Sequence, residues 1–172
     1  MIEPASSGRA KCRGCNRPIT KGELRLGERL PNAFGDGEMT LWFHLRCGAY
    51  LRPETLLAVI GEEPADQLLA TLGAQARFGI EHRRVPRVHG AERATSGRAH
   101  CRACRELIAK GEWRIALVFF DEYRFDPGGY LHVGCAHTYF ETTDLLDRIC
   151  HFSPELGDAD RAELGAALAQ QN

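Results

Sequence analysis

The 172-residue chain predicts an α+β fold of two small domains, each a short antiparallel sheet plus helices. Three observations predict it: a motif that recurs 89 residues later, a change from strand-forming to helix-forming composition within each copy, and cysteines at matched positions in both. We expect a first domain at 1–78, a linker at 79–95 and a second domain at 96–172.

The repeat covers much more than isolated residues. SGRAKCRGC at 7–15 reappears as SGRAHCRAC at 96–104, and ITKGELRL at 19–26 reappears as IAKGEWRI at 108–115. Such a period indicates two copies of one structural unit. The stretch at 79–95 is rich in Arg, His, Val, Pro and Gly and lacks periodicity, so it predicts a linker between them.

Strands are expected between the two halves of each cysteine motif. Short apolar or alternating runs lie at 24–26, 40–43, 113–120 and 130–131. Turn-forming residues separate them at 31–32, 35–37 and 126–129.

Helices are expected after the last cysteine of each copy. The helix-forming segments are 53–60 and 65–78 in the first copy, and 143–149 and 158–169 in the second. Leu68, Leu69 and Leu72 have packing spacings, and Asp158 is predicted to cap the last helix. Leu164 and Leu168 stand four residues apart and are predicted to be core residues, with a partner-binding groove as the less favoured alternative.

Six of the seven cysteines form two copies of one pattern, Cys-x2-Cys followed by His-x2-Cys. Three thiolates and one imidazole are the donor set of a closed tetrahedral zinc site. A redox pair is the alternative for a single Cys-x2-Cys, but it needs a thioredoxin-like setting and leaves the histidines unexplained. We therefore predict two structural zinc sites, with the ligands Cys12, Cys15, His44, Cys47 and Cys101, Cys104, His132, Cys135.

Zinc has a structural reason to be there. Each copy is only about 70–75 residues long, and domains of this size bury little apolar surface on folding. We expect chelation to unfold them. Both sites have four ligands and no open position for catalysis, and no other catalytic motif is recognisable, so the chain is predicted not to be an enzyme.

These motifs resemble the zinc finger of poly(ADP-ribose) polymerases, which also occurs on some DNA ligases and DNA 3′-end phosphatases. The resemblance rests on Ser-Gly-Arg-Ala-x-Cys-x2-Cys, Ile-x-Lys-Gly-x-Leu-Arg-Leu and Trp-Phe-His-x2-Cys, together with the long separation of the two ligand pairs. The second copy departs from it, with Tyr130-Leu131 in place of the Trp-aromatic pair. Nothing in these 172 residues resembles the family's catalytic domains.

The resemblance implies binding to double-stranded DNA at breaks, nicks or ends, recognised by shape and not by sequence. Basic residues near the knuckles, which are the turns formed by each Cys-x2-Cys motif, would contact the DNA backbone. A loop before the histidine would stack apolar side chains on the exposed base pair. Guanidinium groups suit phosphates, and aromatic rings stack on bases without sequence preference. The implied DNA contacts are Arg9, Arg25, Arg98, Arg114, Lys21, Lys110, Phe34, Met39, Phe120 and Phe125.

Other interpretations stay open for several of these residues. Core burial is expected for one of Phe119 and Phe120, because adjacent strand residues face opposite ways. Solvated surface charge competes with DNA contact for Arg13, Arg17, Arg102 and Arg105. Cys150 is expected to be a buried thiol and not a ligand.

The net charge of −1 hides a segregated distribution. Residues 1–30 carry seven Lys/Arg against three Asp/Glu, residues 81–114 carry nine against four, and residues 141–172 carry two against seven. The basic segments surround the knuckles and favour a DNA partner. The acidic tail motivates the alternative of a protein-interaction adaptor that uses the zinc scaffold without DNA.

Location and partners are predicted only in outline. No run of about 18 apolar residues and no signal-peptide pattern is present, so no membrane association is expected. The Ala/Arg/Gly/Leu-rich usage suggests a bacterial, nucleoid-associated cytoplasmic protein, or a nuclear one if the source is eukaryotic. The sequence identifies no repair-enzyme partner.

Overall fold

The computed structural model describes residues 1–32, 35–62 and 64–170. It divides into two compact units, the first formed by Met1–Glu81 with Phe120–Phe125 and the second by His82–Phe119 with Asp126–Asn172. The described residues form two three-stranded sheets plus helices. This confirms the predicted α+β class.

The first sheet has the order β1-β2-β3, with antiparallel pairing throughout. Its strands are β1 (Ile2–Pro4), β2 (Leu24–Pro31) and β3 (Glu38–His44). The helices α1 (Leu45–Leu51), α2 (Pro53–Ile60) and α3 (Gln67–Glu81) follow it.

The core of the first unit lies between this sheet and its helices. Leu26, Leu41 and Phe43 are fully buried, as the two-residue period of a one-sided sheet requires. Pro53 begins α2 at the position where a missing N–H costs no hydrogen bond. In α3, Leu72 is buried while Leu68 is exposed, so only part of the predicted leucine set packs inward.

The second unit repeats the plan with different helices. A 3-10 turn at Val85–Arg87 leads into β4 (Val88–Arg93), which pairs with β5 (Trp113–Asp121), which in turn pairs with β6 (Arg124–His132). The end of this hairpin, Phe120–Phe125, belongs to the first unit. A second 3-10 turn at Val133–Cys135 precedes α4 (Ala136–Phe140), α5 (Leu146–Phe152) and α6 (Asp158–Ala169). Leu164 and Leu168 are buried, as the helical spacing predicts.

The segment 79–95, predicted to be a linker, contains a strand. It holds the end of α3, the turn Val85–Arg87 and all of β4. The strand was missed because β4 has a bulge between Val88 and Ala91, which breaks the alternation that reveals a strand. A signal did exist, since Glu3 and Glu92 stand 89 residues apart on the matching edge strands β1 and β4.

Two smaller expectations are corrected. The turn predicted at 126–129 lies within β6, and the hairpin reverses instead at Glu122 and Tyr123, where Glu122 takes the left-handed conformation (φ 51°). Asp158 is not the cap of α6 but its first residue. Gly157 is the N-cap, and its N–H donates to the Asp160 carboxylate at 3.3 Å.

A buried serine that follows α5 forms hydrogen bonds with the backbone at the β4 bulge. The Ser153 hydroxyl accepts from the N–H of Ala91 and donates to the Ala91 carbonyl, both at 3.0 Å. Gly90 makes this approach possible, because a Cβ there would lie 2.3 Å from Ser153 Oγ and the residue has φ +99°.

Ser153→Ala is expected to destabilise the second unit by about 2–3 kcal/mol, because it leaves two buried backbone groups of Ala91 without partners. Thermal unfolding of the zinc-loaded protein measures the effect, with the exposed Ser6→Ala as the control. Equal midpoints for the two variants would contradict the assigned role of the serine.

Among the described residues, no helix is long and apolar enough to cross a membrane.

Candidate metal centres and nucleic-acid surface

The first metal centre brings together Cys12, Cys15, His44 and Cys47. Their ligating atoms all lie within 4.8 Å of one another. The Nδ1 atom of His44 lies 3.3 Å from Cys15 Sγ and 3.9 Å from Cys47 Sγ. The turn after Cys12 supplies the first two ligands, and His44 and Cys47 come from the junction of β3 and α1.

The second centre repeats this arrangement with Cys101, Cys104, His132 and Cys135. The Nδ1 atom of His132 lies 3.4 Å from Cys104 Sγ and 4.0 Å from Cys135 Sγ. The histidine ends β6, as His44 ends β3. Both ligand sets predicted from the sequence are therefore assembled.

The donor sets fit zinc. With Zn–S near 2.3 Å and Zn–N near 2.0–2.1 Å, a tetrahedral site separates sulfur from nitrogen by about 3.6 Å. The four distances in the two centres, 3.3, 3.9, 3.4 and 4.0 Å, bracket that value. The chain thus has two Cys3His zinc sites.

Hydrogen bonds outside the ligand set orient each histidine. The Nε2 atom lies 3.1 Å from the Pro18 carbonyl for His44, and 3.2 Å from the Leu107 carbonyl for His132. A proton on Nε2 donates to this carbonyl and leaves Nδ1 free for the metal. In each centre the backbone N–H of the histidine also donates to the sulfur of the first cysteine at 3.4 Å.

The crowded thiols divide into easily ionised and resistant groups. Hydrogen bonding from Cys12 and Cys47 lowers the pKa of Cys15. Hydrogen bonding with Cys12 and Cys15 raises the pKa of Cys47. In the second centre, burial opposes ionisation of Cys101, but backbone N–H groups lower its pKa to about 7. Burial and the charge of Cys101 raise the pKa of Cys135 to about 12. A divalent cation replaces the protons that these groups would otherwise share.

Beside each knuckle, two further loops carry exposed basic side chains. In the first unit the N–H of Gly22 donates to the Ala5 carbonyl at 2.8 Å, which ties the loop that carries Arg9 to the turn that carries Lys21. In the second unit Gly111 donates to Ala94 at 2.7 Å in the same way. Within the described part of the chain, no ion pair engages the exposed side chains Arg9, Lys21, Arg98 and Lys110.

Arg25 and Arg114, two of the predicted DNA contacts, are buried and paired within their own sheets. Arg25 Nη2 donates to Glu3 at 2.7 Å, and its guanidinium lies 3.5 Å from the centre of the Trp42 ring. Arg114 Nε donates to Glu92 at 3.1 Å, and its guanidinium lies 3.6 Å from the Tyr130 ring centre. Only 7% of Arg25 and 6% of Arg114 are exposed, so neither guanidinium presents an open surface.

These two stacks explain a sequence substitution. Tyr130 stands two residues before its histidine, where the first copy has Trp42, and offers an aromatic face to Arg114 as Trp42 does to Arg25. Sequence reasoning missed the two ion pairs because Glu3 and Glu92 each lie 22 residues before their arginine.

Arg25→Ala is expected to lower the free energy of unfolding of the first unit by about 1–2 kcal/mol, because it removes a buried cation from an ion pair and an aromatic face. The matched variant Arg9→Ala removes an exposed cation and is expected to change stability by less than about 0.5 kcal/mol. Denaturant titration with zinc present compares the two. A smaller loss of unfolding free energy for Arg25→Ala than for Arg9→Ala would show that burial of Arg25 contributes nothing to stability.

The predicted stacking residues lie in different environments. Phe34 is outside the described residues. Met39 is half-buried in β3. Within the first unit, Phe120 lies under the guanidinium of Arg52 at 4.0 Å, and the Phe125 ring meets Phe43 edge-on at 6.2 Å. Phe119 and Phe120 are both half-buried, so neither is the fully buried core residue that alternation predicts.

Comparison with known proteins identifies the type of finger. Residues 3–65 match the family model described as the "Poly(ADP-ribose) polymerase and DNA-Ligase Zn-finger region". A poly [ADP-ribose] polymerase of Sarcophaga peregrina is 30% identical in an alignment of length 156, which covers 78% of this chain and 16% of the relative. The polynucleotide 3′-phosphatase ZDP of Arabidopsis thaliana is 25% identical in an alignment of length 191, gaps included, which covers 95% of this chain and 27% of the relative. The chain thus spans between about a sixth and about a quarter of these relatives.

Proposed function

Through residues 3–65 this chain belongs to the poly(ADP-ribose) polymerase and DNA-ligase zinc-finger family, and from that premise we propose that it binds double-stranded DNA at strand breaks, nicks or ends. Binding depends on zinc, engages both fingers and involves no catalysis. The relatives named as polymerases and as a polynucleotide phosphatase support DNA as the partner.

One observation supports this proposal most directly: each unit presents the same free arginine and lysine beside its knuckle. Arg9 and Lys21 recur as Arg98 and Lys110, on loops joined by the same backbone hydrogen bond. Free, exposed cations at a fixed spacing suit phosphates of a backbone. Such contacts carry no base information, so they fit recognition by shape.

The charge distribution sets the expected strength of binding. Positive charge is concentrated at 1–30 and 81–114, and the acidic residues lie mainly elsewhere. Two moderate basic surfaces predict a salt-sensitive affinity that avidity between the fingers increases. Charge of this size implies a moderate affinity more than indiscriminate binding to duplex DNA.

A second candidate function is a protein-interaction adaptor. It is favoured by the segment 141–172, which carries seven acidic residues against two basic ones. In that case the zinc scaffold would present this tail to a basic partner, and DNA would not bind.

Fluorescence anisotropy with zinc-loaded protein and three duplexes tests both. The duplexes share one sequence: one is nicked with hairpin-capped ends, one is blunt, and one is covalently closed and intact. We expect the nicked and blunt duplexes to bind about tenfold tighter or more than the closed one, a difference of about 1.4 kcal/mol. Equal affinity for all three would eliminate break recognition, and no binding at full zinc content would favour the adaptor.

We also propose that the chain acts on chromosomal DNA in the bacterial cytoplasm, or in the nucleus if its source is eukaryotic. Fluorescence microscopy of the tagged chain in its own host tests this proposal. A signal that is excluded from the DNA before and after DNA damage would contradict it.

A further inference from the structure

A cavity of about 500 Å³ lies beside the first zinc knuckle, lined entirely by residues of the first unit. We call it the knuckle cavity. Its lining includes Lys11, Arg13, Asn16, Trp42, Arg124 and Phe125. The N–H of Arg13 donates to the Trp42 carbonyl at 2.8 Å, which fixes the knuckle against β3 at this point.

The lining combines two kinds of group that a single ligand can satisfy. Trp42 and Phe125 offer aromatic rings, and Lys11 and Arg13 offer positive charge. Among the described residues that line it, none carries a carboxylate. A planar base joined to a phosphate matches this combination, because bases stack on rings and phosphates pair with guanidinium and ammonium groups. The volume lies within the range of about 300–1,000 Å³ typical of ligand sites.

The second unit holds the equivalent arginine differently. Arg102 stands 89 residues after Arg13, and its N–H likewise donates to the carbonyl of the stacked aromatic, Tyr130, at 2.9 Å. The side chain of Arg102, however, donates from Nε to the Gly128 carbonyl at 2.8 Å and lies over Gly129. The equivalent arginine is therefore bound to β6 in the second unit, whereas in the first unit Arg13 lines an open cavity.

We propose that the knuckle cavity binds one unpaired nucleoside phosphate, with its base against Trp42 and Phe125 and its phosphate held by Lys11 and Arg13. This inference rests on the proposed function and deepens it. The first finger would select those breaks that expose a single unpaired nucleotide. The second finger, whose Arg102 is hydrogen-bonded to the Gly128 carbonyl, would bind without this requirement.

Two nicked duplexes with hairpin-capped ends test the inference. They differ only in one additional unpaired, 5′-phosphorylated nucleotide at the nick. Zinc-loaded full chain is expected to bind the nick with the unpaired nucleotide about tenfold tighter than the fully paired nick, about 1.4 kcal/mol. Arg13→Gln should reduce this ratio to about 1, whereas Arg102→Gln, the matched control, should keep it. A zinc content of two per chain and an unchanged circular dichroism spectrum ensure that folded variants are compared.

The outcomes separate this inference from the proposed function. Tight binding to the paired nick with no preference for the unpaired nucleotide would overturn the inference and leave break binding intact. Loss of the preference for the unpaired nucleotide in Arg102→Gln but not in Arg13→Gln would overturn the inference as well. Equal binding to nicked and closed duplexes would remove the proposed function itself.

A competition arm identifies the source of the nucleotide. Free deoxyadenosine monophosphate is added at millimolar concentration to the complex with each duplex. If it abolishes the preference and leaves paired-nick binding unchanged, the cavity takes free mononucleotides as well. If the preference survives, the cavity takes the nucleotide only as part of a strand.

Discussion

Removing zinc from this chain is expected to unfold both units. Each finger places its ligands at the junctions of its knuckle, its last strand and its first helical segment, so the metal joins the parts of a small domain. The apparent binding free energy of structural zinc in isolated finger peptides is about 10–16 kcal/mol. A unit of this size has a total stability of only about 5–15 kcal/mol, so it does not survive that loss. Titration with a strong chelator, followed by far-UV circular dichroism and a zinc-sensitive dye, measures the unfolding.

Single ligand substitutions should show that the two sites are separate. Cys47→Ser and Cys135→Ser are each expected to reduce the zinc content from two ions per chain to one. Cys150→Ser is the matched control, because Cys150 lies outside both ligand sets. Protons compete with zinc for thiolates, so acidification should release the metal in the wild type too. A chain that keeps its helical signal after complete zinc removal would contradict a structural role for the metal.

The double variant Arg9→Ala with Arg98→Ala is expected to lose most of its affinity for nicked DNA. Both side chains are exposed, and among the described residues neither makes an ion pair, so their removal costs little stability. Each phosphate contact removed should reduce the slope of log K against log salt by about 0.9, and the double variant by about 1.8. At low salt we expect a loss of at least about tenfold.

Salt titrations by fluorescence anisotropy test this prediction. Arg77→Ala, an exposed arginine on α3 away from the knuckle in sequence, is the control for loss of charge alone. Zinc content should stay at two in every variant. If Arg77→Ala reduces the slope as much as each knuckle substitution, binding is diffuse and the knuckle arginines have no special position.

The metal centres were predictable because their information is local and repeated. Cys-x2-Cys and His-x2-Cys fix two ligands each by spacing, and the second copy excludes coincidence. Helix-forming composition predicted the segments 53–60 and 158–169, and the structure has helices at Pro53–Ile60 and Asp158–Ala169, although Gly157 and not Asp158 is the N-cap of the second.

The edge strands and the buried arginines were not predictable in the same way. Strand β4 has little of its own pattern and exists because β5 and Ser153 supply partners for its backbone. Arg25 and Arg114 look like surface cations in the sequence, since a motif does not show which face of a strand is covered. Their burial depends on glutamates 22 residues earlier in the chain.

The sequence alone thus determined the composition of this protein's sites: two Cys3His zinc ligand sets, the repeat that contains them and the basic residues around them. Only the tertiary structure decided which basic residues are free. It pairs Arg25 and Arg114 inside their sheets, leaves Arg9 and Arg98 exposed, and places Arg13 in an open cavity while Arg102 is bound to β6. The physical reason is that ligand spacing is set by a few consecutive residues, whereas the exposure of a long cationic side chain depends on which strand, acid and ring the fold brings beside it.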